Sequence, residues 1–247
     1  VTETDAGASF VFKRGNAGGQ WSEVAMLQEP VPNVDSNFGW SVDISANGID
    51  TTGEYDVPLS ETEFNAVVGA PLSNALTGYM TGAAYVFTED SAGNEFARAI
   101  QLEANTQWWD GSLSLGGGYY GPWNWGGFGF DVAIHRDDVV VGSPIERVYL
   151  GIPDISVESG AAYIFQGVGV NPNVQIIQED TRINIPDSEY CIWQQNMIQL
   201  TYSNGYTTTL STCNNEDYFG HSVDIYDDVV VVGAPGGPLS WSCWASV

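Results

Sequence analysis

Residues 219–235 read FGHSVDIYDDVVVVGAP, and residues 128–144 read FGFDVAIHRDDVVVGSP. A looser third copy is split between FGWSVDIS at 38–45 and NAVVGAP at 65–71. No other feature constrains the fold of this chain as strongly. Short apolar runs bounded by Gly and Pro read as buried strands and are too short for helices. In the last copy Val223 and Ile225 alternate with Ser222 and Asp224, a turn follows at Asp227-Asp228, and Val229–Val232 is the return strand. Each copy is a short hairpin, written three times.

The Phe-Gly pairs Phe38-Gly39, Phe128-Gly129 and Phe219-Gly220 lie 128 − 38 = 90 and 219 − 128 = 91 residues apart. The Val-rich strands close on Gly69-Ala70-Pro71, Gly142-Ser143-Pro144 and Gly233-Ala234-Pro235. Two further signatures follow in a fixed order: GASFVF, GAAYVF and GAAYIF at 7–12, 82–87 and 160–165, then WSEVAMLQE, FARAIQLEA and IWQQNMIQL at 21–29, 96–104 and 192–200. Gly at the end of the Val-rich strand is expected to permit a tight turn, and Pro to stop further pairing. The small residues Gly82-Ala83-Ala84 allow neighbouring sheets to approach, with Tyr85, Phe87, Tyr163 and Phe165 filling the wedge between them.

Four antiparallel strands per unit, repeated head to tail, is the plan of a β-propeller blade. The fold class is therefore all-β, a β-propeller of four-stranded antiparallel blades. The first full blade is expected to have strands at about 38–45, 65–70, 82–88 and 96–103. The units are a half blade at 1–30, a blade at 37–104, an aromatic Gly-rich insertion at 105–127, and a blade at 128–203 with an insertion at 167–191. A hairpin or loop at 204–218, turning at Asn204-Gly205, and a half blade at 219–247 complete the chain. These make about three blade-equivalents, whereas propellers close with roughly four to eight. The sequence begins at Val1 without Met or a signal peptide, as expected of a processed product or a piece of a longer chain. The last half blade followed by the first reproduces the order of one unit. Self-association into an oligomer or fibre is therefore an expected partnership, the alternative being further chain beyond both ends.

These residues resemble the FG-GAP repeats of integrin-α-like β-propellers, in particular the short form found in bacterial and algal surface proteins. That resemblance implies an extracellular or cell-surface location and a structural, adhesive or ligand-binding role without catalysis. Blades of that kind often carry a DxDxDG calcium loop between their first two strands. Here the turns are only HRDD at 135–138 and YDD at 226–228, and the longer connection at 46–64 lacks that spacing. No cofactor is expected, calcium is not signalled, and no metal ligand is assigned.

Charge narrows the partners. The chain has 31 acidic and 6 basic residues, a formal net charge of −25. Such a surface repels nucleic acid, and no apolar run approaches the ~20 residues of a membrane span. The same charge suits a saline exterior, and solubility is the plainer explanation.

The insertion at 105–127 gathers Trp108, Trp109, Tyr119, Tyr120, Trp123 and Trp125 among glycines. Aromatics on a loop stack on sugar rings or form protein contacts. A structural or subunit-contact role is favoured, with glycan binding as the alternative function. Cys191, Cys213 and Cys243 have no metal-ligand spacing. Cys191 with Cys213 is the favoured disulfide because both flank one hairpin-like segment, and buried free thiols are the alternative. The two histidines form no catalytic constellation: His221 fills the slot after Phe-Gly that Trp40 and Phe130 occupy, and His135 sits beside a turn. No catalytic residue is assigned.

Overall fold

The computed structural model describes residues 6–15, 19–46, 64–73, 82–89, 96, 98–104, 127–149, 156–158, 160–168, 176–178, 180–183, 197–201, 207–211 and 218–236. These residues form strands and turns and no helix. Their all-β character follows from β-branched and aromatic residues in short runs punctuated by Gly and Pro.

The first pair, β1 (Ser9–Arg14) and β2 (Trp21–Leu27), is a two-stranded antiparallel sheet. The first full unit runs β3 (Val42–Ala46), β4 (Phe64–Ala70), β5 (Ala83–Thr88) and β6 (Arg98–Glu103), each antiparallel to the next. The second contains β7 (Val132–His135), β8 (Asp138–Ser143), β11 (Ala161–Phe165) and β13 (Thr181–Ile183), again antiparallel in that order. A small hairpin of β9 (Arg147–Tyr149) and β10 (Ser156–Glu158) sits between β8 and β11 in the chain. The chain's last described pair is β16 (Ser222–Tyr226) with β17 (Val229–Gly233).

One expectation is corrected. The fourth strand of the second unit was expected at 192–200, but β13 occupies that place, inside the segment 167–191 expected to project as an insertion. The same segment supplies β12 (Ile176–Gln178), which joins the first unit as a fifth strand, parallel to β6. An open sheet edge recruits a strand within reach, and the turn before β13 is held locally. There the Asp180 amide donates to the Ile164 carbonyl at 2.9 Å, and an Asp180 carboxylate oxygen accepts from the Gln166 amide at 2.7 Å. The 192–200 segment instead contributes to β14 (Met197–Thr201), which pairs antiparallel with β15 (Thr207–Ser211), and the turn expected at Asn204-Gly205 lies outside the described residues.

The core lies between sheets. Val67, Val86, Ile100 and Leu102 of the first unit pack on Phe128, Val132, Ile134 and Phe165 of the second. Val11 and Leu27 pack likewise on Phe38, Val68, Tyr85 and Phe87 of the first unit. Ala133 and Val140 of the second unit meet Ile225 of the last pair, flanked by Val223 and Val230. Each of the two full units thus has one face toward the preceding sheet and one face covered by the following sheet.

Candidate functional site

The described part of the chain is organised around one junction, made three times. Gly7 bridges Phe38, Gly82 bridges Phe128, and Gly160 bridges Phe219, each as a parallel pair joining one unit to the next. The three bridging glycines have φ of 85°, 88° and 76°, and the glycines after the three phenylalanines have 93°, 86° and 89°. A Cβ on Gly82 would stand 2.0 Å from the Phe128 carbonyl oxygen, and one on Gly129 2.1 Å from that of Ala83. Only Gly satisfies both the left-handed backbone and this approach. Two of the Phe rings then lie against their own unit's aromatics: Phe38 is 5.9 Å from Tyr85 and from Phe87, and Phe128 is 5.3 Å from Tyr163.

The glycine that ends each of the first two Val-rich strands has a different reason from the turn expected of it. Gly69 and Gly142 keep φ outside the left-handed region. Their missing Cβ atoms make room for the following unit, whose Gly129 and Gly220 carbonyl oxygens would lie 2.1 and 2.0 Å away. The Gly-Ala-Pro punctuation marks close packing as much as a stop in pairing.

Two buried carboxylates tie the tyrosines of the repeat. Glu29, just beyond β2, accepts from the Tyr85 hydroxyl at 2.8 Å and the Ser73 hydroxyl at 2.5 Å. Glu146 accepts from the Tyr163 hydroxyl and from the Arg182 guanidinium, both at 2.5 Å. Burial raises both phenols, and the neighbouring carboxylate raises them further, so both stay protonated as donors. Burial also pushes the Glu146 carboxyl above its ordinary range, opposed by Arg182 and the Tyr163 hydroxyl. Nothing in the sequence reading singled out Glu29, Ser73, Glu146 or Arg182. The available signal was a pair of phenols at one repeat position inside a core, which require acceptors.

Further bonds cross between first strands. Asp43 accepts from the Ile134 amide and Asp131 from the Val223 amide, each at 2.8 Å. Trp40, Phe130 and His221, the three residues after Phe-Gly, stack in a column with centroid separations of 5.6 and 5.0 Å. His221 is exposed and lies against the Phe130 ring.

A cleft of about 400 Å³ opens between the turns at 135–138 and 226–228, lined by His135, Arg136, Asp138, Ile225, Asp227 and Asp228 among others. Arg136 bonds Asp227 across it at 2.9 Å, and the His135 ring lies 4.6 Å from that of Tyr226. Burial, above all, raises the Asp138 carboxyl, countered by the Gly167 amide that donates to it. Among the described residues no group of three His, Cys, Asp or Glu side chains is placed to hold a metal ion. The aromatic cluster of Trp108, Trp109, Tyr119, Tyr120, Trp123 and Trp125 lies outside the described residues, as do Cys191, Cys213 and Cys243.

Comparison with protein families matches the FG-GAP repeat over residues 209–239. Its Phe-Gly and Gly-Ala-Pro are Phe219-Gly220 and Gly233-Ala234-Pro235, and its hairpin is β16–β17. No curated protein matches the chain. An FG-GAP repeat implies a β-propeller-like fold, and repeats of this kind are typical of extracellular or surface modules serving adhesion or structure. The junction at Phe219 recurs at Phe38 and Phe128, so the repeat geometry extends well before the matched segment. Among the described residues no helix is long and apolar enough to cross a membrane.

Proposed function

We propose that this chain is an extracellular scaffold and contact module, acting through the surfaces its repeats present and not through catalysis. The observation that carries the reading is the FG-GAP repeat at 209–239 together with the same junction at two earlier places. Its buried carboxylates fit that role, since Glu29 and Glu146 are engaged with hydroxyl and guanidinium donors inside the core. A formal charge of −25 keeps such a module soluble in salt and averse to nucleic acid.

The test is location on the source cells. An antibody against the chain is expected to label unpermeabilised cells or their secreted matrix, and proteinase K added to intact cells to remove the signal. Labelling that appears only after permeabilisation overturns the reading.

A further inference from the structure

The three junctions share one plan, and two positions break it. Val132 and Ile134 of β7 are 4% and 5% exposed because Val67 and its neighbours in the preceding sheet cover them. Ile225 of β16 is 6% exposed beneath Val140 and Ala133. The equivalent residues of β3, Val42 and Ile44, are 60% and 52% exposed. Among the described residues the sheet before them is β1–β2, without a strand that carries the counterpart of Val67 and Val140.

That counterpart exists at the other end of the described chain. Strand registers make Val231 equivalent to Val67 and Val140: Val67 pairs with Asp43, Val140 with Ala133 and Val231 with Asp224. Val67 and Val140 are fully buried under the next unit, whereas Val231 is 65% exposed. Tyr226 and Val229 beside it are also exposed. Edges complement in the same way. In both full units the second strand pairs with the third, but among the described residues β17 pairs only with β16, and β1 only with β2. Phe10 and Phe12, on the face of β1 where Tyr85 and Phe87 of β5 are buried, are half exposed.

We propose that a second copy of this chain covers these faces, with β17 of one copy adding edge to edge to β1 of the next. The inference rests on the scaffold reading and names its partner. The register follows from the full units, where Val67 pairs with Val86, Val68 with Tyr85 and Gly69 with Ala84. Val231 then pairs with Val11 of the next copy, Val232 with Phe10 and Gly233 with Ser9, completing a four-stranded unit. In that unit Val231 lies over Val42 and Ile44, as Val67 lies over Val132 and Ile134. The contact is head to tail, so it joins copies into a ring where the rotation closes and into a filament where it does not.

The experiment uses the whole 247-residue chain in sedimentation velocity at rising concentration. Association is expected, and it strengthens with added salt because screening relieves repulsion between highly acidic copies. Val231→Lys and the pair Val42→Lys with Ile44→Lys block opposite ends at exposed positions, so circular dichroism stays unchanged. Each variant alone is expected to be monomeric, and the two mixed form a one-to-one dimer with no larger species. A wild-type chain that stays monomeric throughout, variants that assemble like wild type, or a mixture that gives no dimer each overturn the inference. A monomer that still labels the cell surface refutes this inference alone, and an assembling chain found only inside cells refutes the scaffold reading alone.

Discussion

Three glycines separate the two physical demands of the junction, and their alanine variants carry the clearest prediction. Gly127 has φ +70° but its added Cβ would meet nothing closer than 3.6 Å. Gly142 has no left-handed φ, yet its Cβ would strike the Gly220 carbonyl oxygen at 2.0 Å. Gly129 combines φ +86° with a contact of 2.1 Å to the Ala83 carbonyl oxygen. A left-handed Ala costs about 1–2 kcal/mol, and overlap in a packed core typically about 1–3. The struck atoms here are backbone of a second sheet, which shifts only if the sheets separate. Alanine also restrains the unfolded chain, offsetting roughly 0.4–1 kcal/mol. The expected losses are about 1 kcal/mol for Gly127→Ala, about 2 for Gly142→Ala and about 3–4 for Gly129→Ala. Against a total of roughly 5–15 kcal/mol, the last is a large fraction. Urea unfolding followed by tryptophan fluorescence and circular dichroism measures all three. A Gly142→Ala chain as stable as wild type refutes the close approach, and a Gly129→Ala loss no larger than that of Gly127→Ala refutes the combination.

Tyr163→Phe deprives the buried Glu146 of one donor and is expected to cost about 1–3 kcal/mol in the same assay, while Phe12→Tyr, at a half-exposed position, changes little. Glu146 sets a pH dependence. Its folded carboxyl lies above the ordinary 4.5, so between those two values the folded state holds the extra proton and stability falls as pH rises. Relative to Glu146→Gln, the wild type therefore loses stability as pH climbs above about 4.5, measured by urea midpoints across a pH series. Arg136→Ala removes a partly exposed bond to Asp227 and is expected to cost under about 1 kcal/mol, less in high salt.

How much of this was legible beforehand depends on whether the information is local. The last three strands of the first full unit, expected at about 65–70, 82–88 and 96–103, lie at 64–70, 83–88 and 98–103, because alternation and Gly-Pro punctuation are local signals. The first strand was expected from Phe38, whereas β3 begins at Val42. There Phe38 serves as a bridge to Gly7 of the preceding unit, a partner 31 residues back. The fourth strand of the second unit was misplaced for the same reason. Thr181–Ile183 is three residues without alternation to mark it, and the open edge of β11 together with the Asp180 bonds selects it. The motif glycines were visible, but the role of Gly69 and Gly142 was not, since the atom that excludes a Cβ belongs to another unit.

The buried acids show why function within a repeat can escape a search for repeated letters. Registers make Glu29 equivalent to Ala104, because Leu27 pairs with Ser9 as Leu102 pairs with Ala84. Ser73 is likewise equivalent to Glu146. Their amides donate to Ala70 and Ser143, and their carbonyls accept from Gly82 and Gly160. The first junction thus has its acid at one position and serine at the other, whereas the second has alanine and an acid. What is kept is a carboxylate at the tyrosine hydroxyl, supplied from either side of the sheet boundary. Glu146→Ser should strand Tyr163 and Arg182 and cost about 3–5 kcal/mol, the usual loss when one partner of a buried ion pair is removed. Adding Ala104→Glu rebuilds the arrangement of the first junction, with Arg182 still lying 5.8 Å over the Tyr163 ring to balance the charge. Ala104 packs against the cluster that holds Tyr163, so the new carboxylate starts beside its partner. The double variant is therefore expected to recover about 1–3 kcal/mol relative to the sum of the single losses, the coupling typical of residues sharing a partner. Strict additivity in urea unfolding would mean that the two positions do not serve one hydroxyl.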